Sequence, residues 1–114
     1  MSTRSVALSL ALLAATSVPA SAQAPSGSGT FRVTAFCIHG PMRTGEYTRW
    51  GAVAVDPRVI PLYAQVDIAG TSRTFTALDT GGGVLGNHVD IWMPDCGDAI
   101  NWGSQHRSIE WSAP

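Results

Sequence analysis

The chain has 114 residues, a length that fits one domain. Only 13% of its residues are charged, the formal net charge is −1, and lysine is absent. That balance gives no electrostatic footprint for a nucleic-acid binder or for a protein held on an anionic membrane surface.

The N-terminal stretch reads as a targeting segment. Met1 to Ser5 carries one charge, Arg4, and Val6 to Val18 is continuously apolar or small. Pro19 then breaks the run, and Ala20-Ser21-Ala22 offers the small residues a signal peptidase needs. A signal peptide over residues 1–22 is therefore predicted, with export to the periplasm or the extracellular medium and no membrane attachment after cleavage. The apolar run is short for a bilayer span, and an uncleaved N-terminal anchor is the alternative. Residues 23–29 have Gly/Ser linker composition and are predicted to be flexible, with the folded domain over 30–114.

Six strand-like runs follow: Thr30–Phe36, Gly51–Val55, Gln65–Ile68, Arg73–Leu78, His88–Met93 and Arg107–Trp111. Phe31, Val33 and Ala35 alternate with Arg32 and Thr34, the period of a half-buried strand. Turns rich in Gly, Pro and Asp bound the runs, as in a small barrel or sandwich. One short helix is expected before the last strand. Pro94, Asp95 and Asp98 stand near its start and Gly103 at its end, with Ala99, Ile100 and Trp102 on its buried face. Ala54-Val55-Asp56 and Ala77-Leu78-Asp79 form a faint internal echo, each a strand end closing on an aspartate.

Cys37 and Cys96 are the two cysteines. Export to an oxidising compartment favours a disulfide between them. The alternative is a metal site of Cys37, His39, Cys96 and His106, although one residue between Cys37 and His39 is not a common zinc spacing.

The richest chemistry lies between Asp79 and Asp90. Asp79 leaves a strand into Thr80 and three glycines, Gly81 to Gly83, and Gly86 follows. Glycine permits positive φ and close approach of a ligand or another backbone. If the two strands were neighbours, the carboxyl groups would converge, and repulsion with desolvation would keep one protonated. A protonated acid is what glycosidic-bond cleavage requires. The plainer reading is that both aspartates cap turns.

Several runs in this order resemble the 3D domain, a family named for three aspartates and shared with a membrane-bound lytic transglycosylase. They are Val53-Ala54-Val55-Asp56-Pro57 with Ile60-Pro61-Leu62, Asp79-Thr80-Gly81-Gly82 with Gly86, Val89-Asp90-Ile91, and Ala99 with Trp102-Gly103. The resemblance spans Thr30 to Trp111. It departs from the family at Leu85, where a lysine is frequent, and at Tyr63-Ala64, where Gly and Thr are usual.

The resemblance implies an all-β fold, a six-stranded double-psi β-barrel. It implies cleavage of peptidoglycan glycan strands between N-acetylmuramic acid and N-acetylglucosamine, with a 1,6-anhydromuramyl product and neither metal nor organic cofactor. Asp90 would be the catalytic acid and then the base. Asp79 would be its supporting carboxylate, helped by Thr80 and the NH groups of the loop with Gly81, Gly82 and Gly86. Asp56, before Pro57, would shape a loop.

Among the aromatic residues, Trp92 shares a strand face with Asp90 and is the first candidate to stack on a sugar ring. Trp50 and Tyr47 are weaker candidates. His88, two residues before Asp90, could tune its proton affinity or sit solvated at the loop edge. His39 and His106 suggest no chemical role, and the arginines read as solvated surface charge. Competing functions are a non-catalytic glycan-binding or wall-loosening barrel, a secreted interaction protein, and an aspartic protease suggested by Leu78-Asp79-Thr80-Gly81.

Overall fold

A computed structural model describes residues 24–114. The predicted signal peptide lies outside the described residues. The strands are β1 (Ser26–Phe36), β2 (Ala52–Val55), β3 (Gln65–Ile68), β4 (Thr74–Asp79), β5 (His88–Trp92) and β6 (Gln105–Ser112), with helix α1 (Cys96–Trp102) before β6. They close in the order β1-β5-β2-β4-β3-β6 into the six-stranded barrel expected from the sequence. Two pairs, β1/β5 and β2/β4, are parallel, and the other four are antiparallel. Closure gives each of the six described strands a neighbour on both sides.

Alternation decides which side chains fill the barrel. Val33, Val53, Val55, Val66, Ile68, Phe75, Ala77, Val89, Ile91 and Ile109 form the interior core. Full burial of one such aliphatic side chain contributes about 1.5–3 kcal/mol. The alternate residues of the same strands build a second cluster, Ala52, Leu78 and Trp92 with Met42, against which Phe36 packs. Every residue of β2 is consequently buried, as expected for a strand covered on both faces. The cover over this outer face is the segment from Cys37 to Trp50, which folds back on itself through Met42 N–H to Glu46 O and a bridge between Pro41 and Tyr47.

Two features, one boundary and one buried face, differ from the sequence expectation. The linker reading fails for Ser26 to Gly29, which belong to β1 and pair with Ile109 to Ser112 of β6. At Gly27 the composition reflects packing: a Cβ there would stand 2.8 Å from the Trp111 indole nitrogen, so only glycine leaves room for that ring. In α1, capped by the Asp95 side chain on Asp98 N–H and ended by Gly103, Ala99 is buried, but Ile100 is 77% exposed. A helix of two turns presents too narrow a face to the barrel to bury both.

Tyr63, where the family usually has glycine, has φ 72° and an exposed side chain, and its N–H donates to Ala77 O. A left-handed conformation costs a non-glycine residue about 1–2 kcal/mol, whereas glycine adopts it freely and loses more chain entropy on folding. Tyr63→Gly is therefore expected to raise the thermal midpoint by a few degrees, and Tyr63→Ala is not. Calorimetry of the two variants checks this. Equal effects would rule out backbone strain.

Candidate active site

The second and third motif aspartates meet across β2. Ala54 pairs with Asp79 of β4 on one side and with Asp90 of β5 on the other. With strands about 4.8 Å apart, the two aspartate backbones lie on the order of 10 Å from each other. Between and above them is an open cleft of about 260 Å³. Ala54 and Phe36 lie on the strands beneath it, Ile38, Gly40, Pro41 and Thr48 belong to the covering segment, and Thr80, Gly81 and Val84 to the glycine loop; Asp79 and Asp90 both line it.

β4 and β5 are thus not neighbours, which corrects the physical basis expected for a protonated acid. The Asp90 carboxyl is held above the usual carboxylate range chiefly by desolvation. A hydrogen bond from Thr34 and the nearby charges of His88 and Arg32 oppose this, and the charge of Asp79 is the smallest contribution. Two carboxyl groups separated by a strand repel only weakly, and burial does what close repulsion was expected to do.

Asp79 is tied down by its surroundings. Its Oδ1 accepts from Arg43 N–H at 2.8 Å and from its neighbour Thr80 N–H at 2.9 Å. Thr44 N–H also donates to Leu78 O, so the end of β4 clasps the covering segment and holds one wall of the cleft. The turn-capping reading of Asp79 and its place in the cleft therefore describe one arrangement.

Asp56 is buried at 3% exposure outside the cleft. It receives a two-pronged contact from Arg58, Nε to Oδ1 at 3.0 Å and Nη2 to Oδ2 at 2.9 Å, so this arginine is solvent-exposed as expected but is also paired. Gly86 N–H donates to Oδ2 at 2.8 Å and Arg58 N–H to Oδ1 at 3.0 Å. Gly86 has φ 69°, the left-handed region that favours glycine, and this turn aims its N–H at the carboxylate. Asp56 therefore anchors the far end of the loop that carries Thr80 and Gly81. Nothing in the structure explains Gly82, whose added Cβ would meet open space.

The Arg58 side chain, followed by the Gly86 and Arg58 NH groups, holds the Asp56 carboxyl far below the usual carboxylate range. A depressed carboxylate contributes stability that is complete above the unfolded-state value near 4 and lost as pH falls through the folded value. The thermal midpoint is thus expected to fall steadily as the medium is acidified below about pH 4, and Asp56→Asn should flatten that fall. Parallel curves for the two proteins in a pH series of melts would contradict it.

Two aromatic expectations, and one of the two readings of His88, need correction. Trp92 shares the Asp90 face but is 5% exposed, packed with Met42, Ala52 and Leu78, and its Nε1–H donates to Ile38 O at 2.9 Å. It supports the cleft wall from behind and offers no face to a sugar. Trp50 is exposed, but it borders a different hollow with Trp102 and Phe75, and the Arg73 guanidinium lies 5.0 Å from its ring centre. His88 is neither solvated nor in the cleft. It is 8% exposed, and its Nε2 lies 2.8 Å from Thr34 Oγ1, which donates to Asp90 Oδ1 at 2.8 Å. Its Nδ1 lies 3.2 Å from Gly83 O.

Thr34 is the residue that the sequence reading missed. It counted there only as a polar position of a strand. Its importance comes from the parallel register of β1 on β5, which pairs Thr34 with Asp90 and Arg32 with His88, and no local pattern reveals a parallel register. Cys37 and Cys96 are joined as a disulfide with Cα atoms 5.1 Å apart, which leaves neither sulfur as a thiolate metal ligand. Among the described residues, no group of three or more His, Cys, Asp or Glu side chains is placed to hold a metal ion.

The family model of the 3D domain matches residues 51–111, which contain all three aspartates. The cell wall-binding protein YocH of Bacillus subtilis is 45% identical over 58 residues, 51% of this chain and 20% of YocH. The SPbeta prophage-derived uncharacterized protein YorM of the same organism is 38% identical over 90 residues, 68% of this chain and 38% of YorM. The chain therefore spans well under half the length of these relatives. A crystal structure of E. coli MltA with bound chitohexaose superposes with a TM-score of 0.53 at 21% identity, covering 66% of this chain and 28% of that one, a likeness of fold. With its matched region covering β2 through β6 and Asp56, Asp79 and Asp90 gathered around one glycine loop, the chain belongs to the 3D domain family.

Proposed function

We propose that this protein cleaves the glycan strands of peptidoglycan as a lytic transglycosylase, with Asp90 as its single acid and base. The observation that carries the reading is Asp90 itself: a carboxyl group in an open cleft, kept protonated to higher pH by burial. Protonated Asp90 gives its proton to the oxygen bridging N-acetylmuramic acid and N-acetylglucosamine as the bond to C1 breaks. The carboxylate then takes the proton of the muramyl C6 hydroxyl, whose oxygen closes on C1. One group serves both steps, so the distance between Asp79 and Asp90 does not have to suit a pair of cooperating carboxylates. Asp79 keeps the cleft wall in place, and its charge favours the oxocarbenium-like transition state.

The chitohexaose bound to MltA in its crystal and the cell-wall name of YocH support a glycan as ligand. The disulfide supports an exported, oxidising location, in line with a signal peptide over residues 1–22. A second reading, a glycan-binding module without chemistry, is favoured by the word "binding" in the name of YocH. Mass spectrometry of peptidoglycan incubated with the protein separates them. 1,6-Anhydromuropeptides are expected. Retention on peptidoglycan with no new product, or with reducing-end products, would reject the transglycosylase.

A further inference from the structure

The hydrogen bonds around His88 impose a condition on Asp90. Gly83 O is a carbonyl and can only accept, so the contact with Nδ1 requires a proton on that nitrogen. Thr34 has one hydroxyl proton and stands 2.8 Å from both Nε2 of His88 and Oδ1 of Asp90. Two arrangements that hold the same number of protons satisfy every contact. In the first, Asp90 is protonated and donates to Thr34, Thr34 donates to Nε2, and the ring is neutral with its proton on Nδ1. In the second, Asp90 is ionised, Thr34 donates to it, and Nε2 carries a proton that it donates to Thr34.

The two arrangements hold the same number of protons and differ by one step of each along the chain. Removing a proton from either leaves one site without its partner. A buried polar group without a partner costs about 1–3 kcal/mol. His88 is buried and Thr34 half-buried, so water has poor access to the His88 end of the chain.

We propose that His88, Thr34 and Asp90 form one proton-holding unit, in which His88 is a positioning residue that acts on Asp90 only through the Thr34 hydroxyl. Its role in catalysis rests on the function proposed above. When the Asp90 hydroxyl turns from Thr34 to the glycosidic oxygen and gives up its proton there, the Thr34 hydroxyl turns from Nε2 to the new carboxylate and steadies it. When the C6 hydroxyl returns a proton to Asp90, Thr34 turns back. No proton is taken from solvent during the cycle. The other charged groups facing the unit are Arg32, in register with His88 and donating through Nε to Ser104 Oγ, and Asp79 across Ala54.

The test is nuclear magnetic resonance of the ¹⁵N- and ¹³C-labelled protein through a pH series. The His88 ring nitrogens and the Asp90 carboxyl carbon are expected to change over one shared interval. D90N should fix His88 as the neutral ring with its proton on Nδ1, because the amide donates to Thr34 as the protonated acid does. T34V should uncouple the two signals and T34S should keep them coupled. In product assays T34V should lower kcat about tenfold with KM unchanged, the scale of one hydrogen bond to a charged group, and T34S should restore it. The unit is disproved if His88 responds to pH identically in the wild type and D90N, or if its neutral ring carries the proton on Nε2. These signals do not need turnover. Coupled signals without anhydro product would sink the transglycosylase and leave the unit standing. Anhydro product with uncoupled signals would do the reverse. If T34V does not fold, D90N decides.

Discussion

Asp90→Asn is expected to abolish formation of anhydromuropeptides while leaving the protein at least as stable as the wild type at neutral pH. The loss follows from the proton. General acid–base groups contribute about 10²–10⁴-fold to rate, and an amide can neither deliver nor receive a proton in this role. The stability follows from the environment. In the folded state the Asp90 carboxyl is held above its ordinary range by burial, so the unfolded chain loses that proton first as pH rises. Stability thus falls as pH rises from the unfolded-state value, near 4, to the folded value, and above that the wild type bears the full penalty. Asparagine has no charge to desolvate, and its amide can bond the Thr34 hydroxyl. The variant should therefore gain on the wild type in neutral medium and match it below about pH 4.

Product assays and melts on the same two samples check both halves. Continued product formation by D90N would place the acid elsewhere, with Asp79 the only other carboxyl in the cleft lining. A variant that is inactive because it is unfolded would show a loss at every pH. An active site that sacrifices stability for function gives the opposite signature, higher stability with no activity.

How far the sequence carried depends on whether a feature is local or depends on pairing. The alternation of Phe31, Val33 and Ala35 located β1, and Asp95 with Gly103 located the helix, because period and caps act within a few residues. The residues around Asp56, Asp79 and Asp90 brought in the family, and with it the barrel. What failed was what register decides. Trp92 does share a face with Asp90, but the covering segment from Cys37 to Trp50 buries it. Asp79 and Asp90 looked like neighbours in a loop, yet β2 runs between their strands and makes Ala54 the spacer. Thr34 and His88 became partners only through β1 lying parallel to β5, strands far apart in the chain. Gly27 reads as linker because a glycine that makes room for an indole is identical in sequence to one that makes a flexible tether.

Loss of the disulfide is the second large effect, and it should reach the cleft as well as the fold. Cys37 and Cys96 are 59 positions apart, and a closed loop of that size is worth about 4 kcal/mol by the chain-entropy model. For a domain of this size each kcal/mol moves the melting midpoint about 4–8 °C, so Cys37→Ala with Cys96→Ala should lower it by roughly 15–30 °C. The bond also joins the end of β1 to the start of α1, immediately before the segment that supplies Ile38, Gly40, Pro41 and Thr48 to the cleft. Without it, that wall is held by the clasp of Asp79 on Arg43 and by Trp92 on Ile38. Activity should therefore fall below the melting transition, with KM rising more than kcat falls, because the acid and its Thr34 partner sit on β5 and β1 and keep their register. Melts and product assays with and without reductant check this. A midpoint shift of only a few degrees would mean that the barrel alone holds β1 against α1, and an unchanged KM would mean that the covering segment does not contact the glycan.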